Sequence, residues 1–352
     1  MRAISPVLLS ALLLACGTEV RVEGDPVGQG GAGGEATTTG TPTPGAGGSI
    51  NAQPPPPPLD GMPTGPGEQF VMQRLWVGDA DRSGTPSPNA WHGFGYDIDG
   101  QDGASGPHCQ AYGGADPSNA FTDGDAGRDN AFGRTWLPIL RGLVADFGAQ
   151  VNERLQQGEG NLLFDLLRVG SGDHLGSEGR IYLGSPTTFA PTFAGADLWL
   201  VTAASLESPP DLSSARFSTI GYVSQSVWVS GPGPLEIPLV LGGAELPLPL
   251  STAVVTIDLT NGRGVIAGVI DVDLFVQVFR QFAGALDPAL CSGATLEAVE
   301  DEFRKGSDIM SDGTQDPNRT CDGVSVGMEF DVVNVQISGA ASPVPTPVPP
   351  CP

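Results

Sequence analysis

The chain has 352 residues, with 40 acidic against 16 basic side chains and a formal net charge of −24. That balance excludes nucleic acid as a partner, because nothing here could displace counterions from phosphates, and it disfavours adsorption to anionic lipid. Residues 68–340 are enough for one domain with a substantial core, whereas the stretch before them is too poor in apolar side chains to contribute.

At the N-terminus, Arg2 precedes an apolar run at 7–14 that closes in Leu13-Leu14-Ala15-Cys16-Gly17. A cationic start, a short apolar core and a small residue before the break describe an export signal, too short to span a bilayer. With cysteine directly after the small residue, the segment resembles the lipobox of bacterial lipoprotein signals. Leu13 and Ala15 fit the pattern, while Leu14 stands where a smaller residue is commoner. The resemblance implies removal of residues 1–15, acylation of Cys16 and, from Gly17 rather than aspartate after the cysteine, an outer-membrane anchor in the cell envelope. Residues 16–67 are dominated by Gly, Pro, Thr and Ala, with a proline run at 54–58. Such a segment buries too little apolar surface to offset its ordering entropy, so it reads as a disordered tether, with a span of roughly 40 Å.

The next region, 79–130, is rich in Asp and Gly, lacks periodicity, and has the length at which loops usually carry function. A helix is expected from Thr135, its N-cap, to Gly158, with Trp136, Leu140, Leu143, Phe147, Val151 and Leu155 on one face. Strands follow at 162–169, 179–183, 198–202 and 220–229. Alternation at 235–241 and 246–250, around Gly242-Gly243, gives a hairpin whose prolines 238, 247 and 249 belong on an edge. Further strands are expected at 255–259, 264–270 and 326–337, the last with a bulge where the phase changes between Val332 and Val333. Helices are expected at 271–286, with Leu274, Phe275, Val278, Phe279 and Phe282 in one stripe, and at 295–305. The fold class is therefore mainly β, a β-sandwich or flattened barrel with two to three packed helices and a long Asp/Gly-rich loop region. A proline-rich tail, 341–352, ends the chain.

Five cysteines in an exported chain leave four once Cys16 is acylated, enough for two disulfides. Of three pairings, Cys291 with Cys321 is preferred because they bracket one acidic insertion; Cys109 with Cys351 follows by elimination.

Two acidic clusters stand out. Asp97, Asp99 and Asp102 alternate with glycines, and Asp123, Asp125, Asp129 and Asn130 form the second. Calcium takes about six to eight hard oxygen ligands, and alternate carboxylates on a glycine-bent loop can converge on one ion. The clusters resemble the calcium loops of thrombospondin type 3 repeats and dockerins, which implies those seven residues as ligands. The spacing departs from the full EF-hand pattern, since His108 and Arg134 occupy the twelfth positions. The competing reading is that these aspartates cap turns. Turn capping is also the reading for Asp308, Asp312, Asp316 and Asp322, and Asp271 and Asp273 open a helix. Beside the first cluster, Trp91, His92 and Tyr96 are candidates for stacking on a sugar or partner, against the alternative that Trp91 plugs the edge of a core.

Nucleophile-elbow, phosphate-loop and zinc-hydrolase spacings are absent from the sequence. The layout resembles surface lipoproteins of Gram-negative bacteria. The expected function is a lipid-anchored binding or structural module, calcium-stabilised and contacting a glycan or protein; the alternative is an extracellular hydrolase using carboxylates of the acidic loops.

Overall fold

The computed structural model describes residues 52–342 and Cys351, except 102, 104–105 and 171. The signal, Cys16, most of the tether, Asp102 and most of the proline-rich tail lie outside the described residues.

The strands are β1 Glu68–Trp76, β2 Leu162–Leu167, β3 His174–Leu183, β4 Leu198–Val201, β5 Phe217–Ser224, β6 Val227–Val229, β7 Gly233–Leu241, β8 Ala244–Asp258, β9 Arg263–Asp271, β10 Gly323–Asn334 and β11 Gln336–Ala340. The helices are α1 Pro117–Ala120, α2 Leu137–Leu143, α3 Phe147–Gln156, α4 Val272–Leu286 and α5 Ala294–Lys305. Nine strands hydrogen-bond in the order β6-β5-β3-β2-β1-β10-β9-β8-β7, and β6 also pairs with β8. The second pairing closes the sheet, so the mainly β fold is a flattened antiparallel barrel with β7 as a flap on its edge.

Side-chain alternation explains the closure. Phe70, Met72, Phe164, Leu166, Val326, Met328 and Phe330 point inward and are buried in the main core. Along β8 the inward residues are Leu246, Leu248 and Leu250, then Ala253, Val255 and Ile257. The parity switches because β8 carries an extra residue between Leu250 and Thr252 opposite β9, a bulge that bends the strand from one neighbour to the next. Pro238 faces Pro247 in β7 and β8, and Pro249 faces Glu236. Two opposed prolines donate nothing to each other. They fit because β7 is an outer strand and β9 meets β8 only from Leu250 onward.

The strand β1 was not expected from the sequence. The bulge predicted at Val332–Val333 falls instead on the facing strand, between Met72 and Arg74 of β1, which pair with Val332 and Asp331. The phase change has another cause: Val332 belongs to the barrel interior, while Val333 packs on a second cluster outside it, formed by Val71, Leu163, Tyr182, Trp199 and Val201 under the two-stranded parallel sheet of β4 and β11.

The expected helix from Thr135 is broken. A π-helical turn, Phe132–Trp136, leads into α2; Asp146 then adopts φ 53° before α3 starts. Thr135 is not an N-cap, since its hydroxyl donates to Ala131 O. Instead the Asp79 carboxylate accepts from Gly148 N at the start of α3. The helix α4 begins as expected, with the Asp271 carboxylate accepting from Leu274 N at 2.9 Å. Phe275 of α4 and Phe303 of α5 pack on Trp136, whose indole donates to Phe303 O at 2.9 Å, and Phe279 of α4 packs on Phe303.

The boundary at 67 and the disulfide pairing both need correction. Residues 52–67 run along the barrel: Asp97 N donates to Ala52 O, Tyr222 Oη to Pro55 O and Gly170 N to Thr64 O. The cysteines pair as Cys109–Cys321 and Cys291–Cys351. Nearness in sequence misled the expectation, because α5 separates Cys291 from Cys321. A backbone bridge of Gln110 with Thr320 sets Cys109 beside Cys321, while Cys291 and Cys351 meet over Gly284 of α4.

Candidate metal centre

The two acidic clusters of the sequence do not form two sites. Asp97 and Asp99 from the first and Asp129 from the second bring carboxylate oxygens within 4.8 Å of one another. Backbone bonds fix the crossing: Asp129 N donates to Tyr96 O, and the Asp129 carboxylate accepts from Ile98 N at 2.6 Å and Asp99 N at 3.2 Å. Asp97 accepts from Gly100 N and Asp99 from Gln101 N, so the turn-capping reading also holds. The two readings are compatible, because a carboxylate oxygen that accepts one amide hydrogen keeps a second lone pair.

The electrostatics are unusual. Asp129 is buried, and its carboxyl is pushed up to about 9, first by burial and then by the charges of Asp99 and Asp308. Asp308 is also buried and is raised to about 6 by that burial despite bonds from Ser325 N and Oγ. Asp123, held above the ordinary range by partial burial, accepts from Gly103 N and adds repulsion toward Asp99. Arg134 is the nearby counter-charge, but its guanidinium donates to the carbonyls of Ala120 and Thr122, not to a carboxylate. Gln315 completes the floor, giving Nε2 to Asp99 at 2.7 Å and to Asp308 O at 3.0 Å.

Several expected ligands lie elsewhere. Asn130 is buried and spent: Nδ2 donates to Trp91 O and Gly327 O, and Oδ1 accepts from Gly133 N and Gly327 N. Asp125 is exposed, its backbone tied to His92 O and Arg128. Trp91 is only 6% exposed and Tyr96 8%, so neither is a stacking platform. Trp91 is buried against Gly78 and Gly133, with the His92 ring at 3.9 Å. The Tyr96 hydroxyl shares a 2.8 Å hydrogen bond with Thr256, and burial pushes it up to about 12.

Asp308, Arg134 and Gln315 were not read from the sequence as parts of this centre. Asp312 and Asp316 do cap turns, accepting from Thr314 N and Asn318 N, whereas Asp322 accepts from Ser311 N and Asp308 from Ser325 N, bonds that tie separate segments together. Asp308 shares their loop, and its burial sets it apart. No helix among the described residues is long and apolar enough to cross a membrane. Comparison with protein-family models, curated proteins and solved structures returns no match.

Proposed function

We propose that Asp97, Asp99 and Asp129 hold a calcium ion that locks the acidic loops to the barrel, and that the chain is an envelope-anchored binding or structural module. One observation carries the metal reading: three hard-oxygen donors from two loops converge, one of them a buried carboxyl whose ionised form lacks a directly bonded cation among the described residues. A divalent ion bonded there would offset the repulsion among these groups and ionise Asp129. Backbone carbonyls or water would supply the remaining ligands. The hydrolase alternative has against it the burial of Asp129 and Asp308, which leaves a polymer no approach to the most perturbed carboxyls. The anchor rests on the lipobox around Cys16, and a glycan or protein remains the proposed partner class.

The test is calorimetric titration of the purified chain with calcium after chelator treatment. One bound ion and a raised melting temperature, both lost in Asp99→Asn and retained in Asp125→Ala, are the expected results. Absence of binding at millimolar calcium, or equal loss in both variants, overturns the metal centre. Mass spectrometry of membrane-extracted protein checks the anchor; an unmodified thiol at Cys16 refutes it.

A further inference from the structure

Away from the acidic loops, a groove of about 680 Å³ opens at the end of the barrel, between the end of β3 and start of β5 on one side and β7, β8 and the start of α4 on the other. Its floor is apolar, made by Leu162, Ile181, Phe217, Leu235 and Leu250, and the half-exposed Leu274 stands at its edge. The volume is that of a site for a small organic molecule, where apolar lining supplies contact and a few polar groups set orientation.

The rim determines the charge of the occupant. It carries the carboxylates of Glu207, Glu236 and Asp271 against one guanidinium, Arg216. Arg216 already pairs with Glu207 at 3.5 Å. The first amides of α4, which could otherwise attract an anion, face the Asp271 carboxylate, bonded to Leu274 N. Glu236 has no ion-pair partner among the described residues. Partial burial holds it above the ordinary carboxylate range, and Glu245 is raised first by its own burial and then by the charge of Glu236. An anionic head group would meet this rim with repulsion.

We propose that the groove binds an organic cation with an apolar body, a long-chain alkylammonium being the simplest member, with the chain on the apolar floor and the ammonium at Glu236. The site is separate from the metal centre and does not depend on it.

The probe is dodecylammonium, titrated calorimetrically below its micelle concentration into the full-length oxidised protein with chelator present, and dodecanoate is the matched anion. One ammonium bound per chain, at least about tenfold tighter than the carboxylate, is expected. Glu236→Gln should weaken binding at least about fivefold. Ala204→Trp, which fills the groove from an exposed wall position, should abolish it at an unchanged melting temperature. The single stoichiometry and the Ala204→Trp result separate the groove from attraction by net charge. Absence of ammonium binding, equal binding of the two probes, or binding indifferent to Ala204→Trp overturns the proposal.

Discussion

Asp129→Asn in the metal-free protein should change how stability depends on pH. An unfolded aspartyl group releases its proton near pH 4, whereas the folded Asp129 keeps it up to about 9. Between those values the native state binds the extra proton, so its stability falls as pH rises, and the loss is complete only above the folded value. One pH unit in that window costs about 1.4 kcal/mol for one proton. From pH 5 to pH 8 the wild type should therefore lose up to about 4 kcal/mol that the asparagine variant keeps. Asparagine retains an oxygen for the amides of Ile98 and Asp99, which makes the comparison conservative. Asp308 is present in both proteins, so its own titration largely cancels in the difference. The assay is urea unfolding in chelator at pH 5, 6, 7 and 8, with disulfides intact. A gap between the two proteins that is the same at pH 5 and pH 8 refutes the claim that burial keeps Asp129 protonated. Saturating calcium should flatten the wild-type slope, because the ion takes over from the proton.

Peptide mapping without reduction should recover Cys109 linked to Cys321 and Cys291 linked to Cys351; removing the first bridge by paired serine substitution should cost up to about 5 kcal/mol in denaturant unfolding, given its sequence separation of 212. Gly327→Ala drives a methyl group into the Phe94 carbonyl and Gly95, so a loss of more than about 2 kcal/mol is expected by thermal unfolding. Tyr96→Phe leaves the buried Thr256 hydroxyl without its partner and should cost about 1 to 2 kcal/mol in the same measurement. Arg280→Ala removes the closest cation from Glu300, whose side chain is 5% exposed, and should cost about 2 to 3 kcal/mol, with Arg304 at 3.9 Å limiting the damage.

Most of the barrel was legible because its strands alternate, and alternation is what a half-buried strand must show. The same logic failed where both faces are covered. In β1, Phe70 and Met72 face one core and Val71 another, so the segment reads as unpatterned apolar sequence. The pair Val332–Val333 misled for the same reason. The bulge in β8 was available in the sequence as a parity change between Leu250 and Val255, yet the prolines drew the reading to the edge. Beside the helix break at Asp146, the start of α3 is met by the Asp79 carboxylate at Gly148 N, 69 positions apart in sequence, which no local pattern carries. The metal centre was half legible. Asp97, Asp99 and Asp129 were marked by composition, but spacing within each loop suggested two sites, and convergence across loops is a tertiary fact. Asp308 looked like its turn-capping neighbours, and the burial that distinguishes it is invisible in one dimension.

A ring is only as durable as its narrowest join. Here the join is β6 against β8, where Val227, Trp228 and Val229 meet Asp258, Ile257 and Thr256. Every other step round the circumference except β5 to β6 is secured by a longer ladder. Mechanical or thermal opening should thus begin as an unzipping at this clasp, turning the hoop into a curled ribbon before any helix detaches. Trp228, sealed at 0% exposure, would be the first indole to meet water.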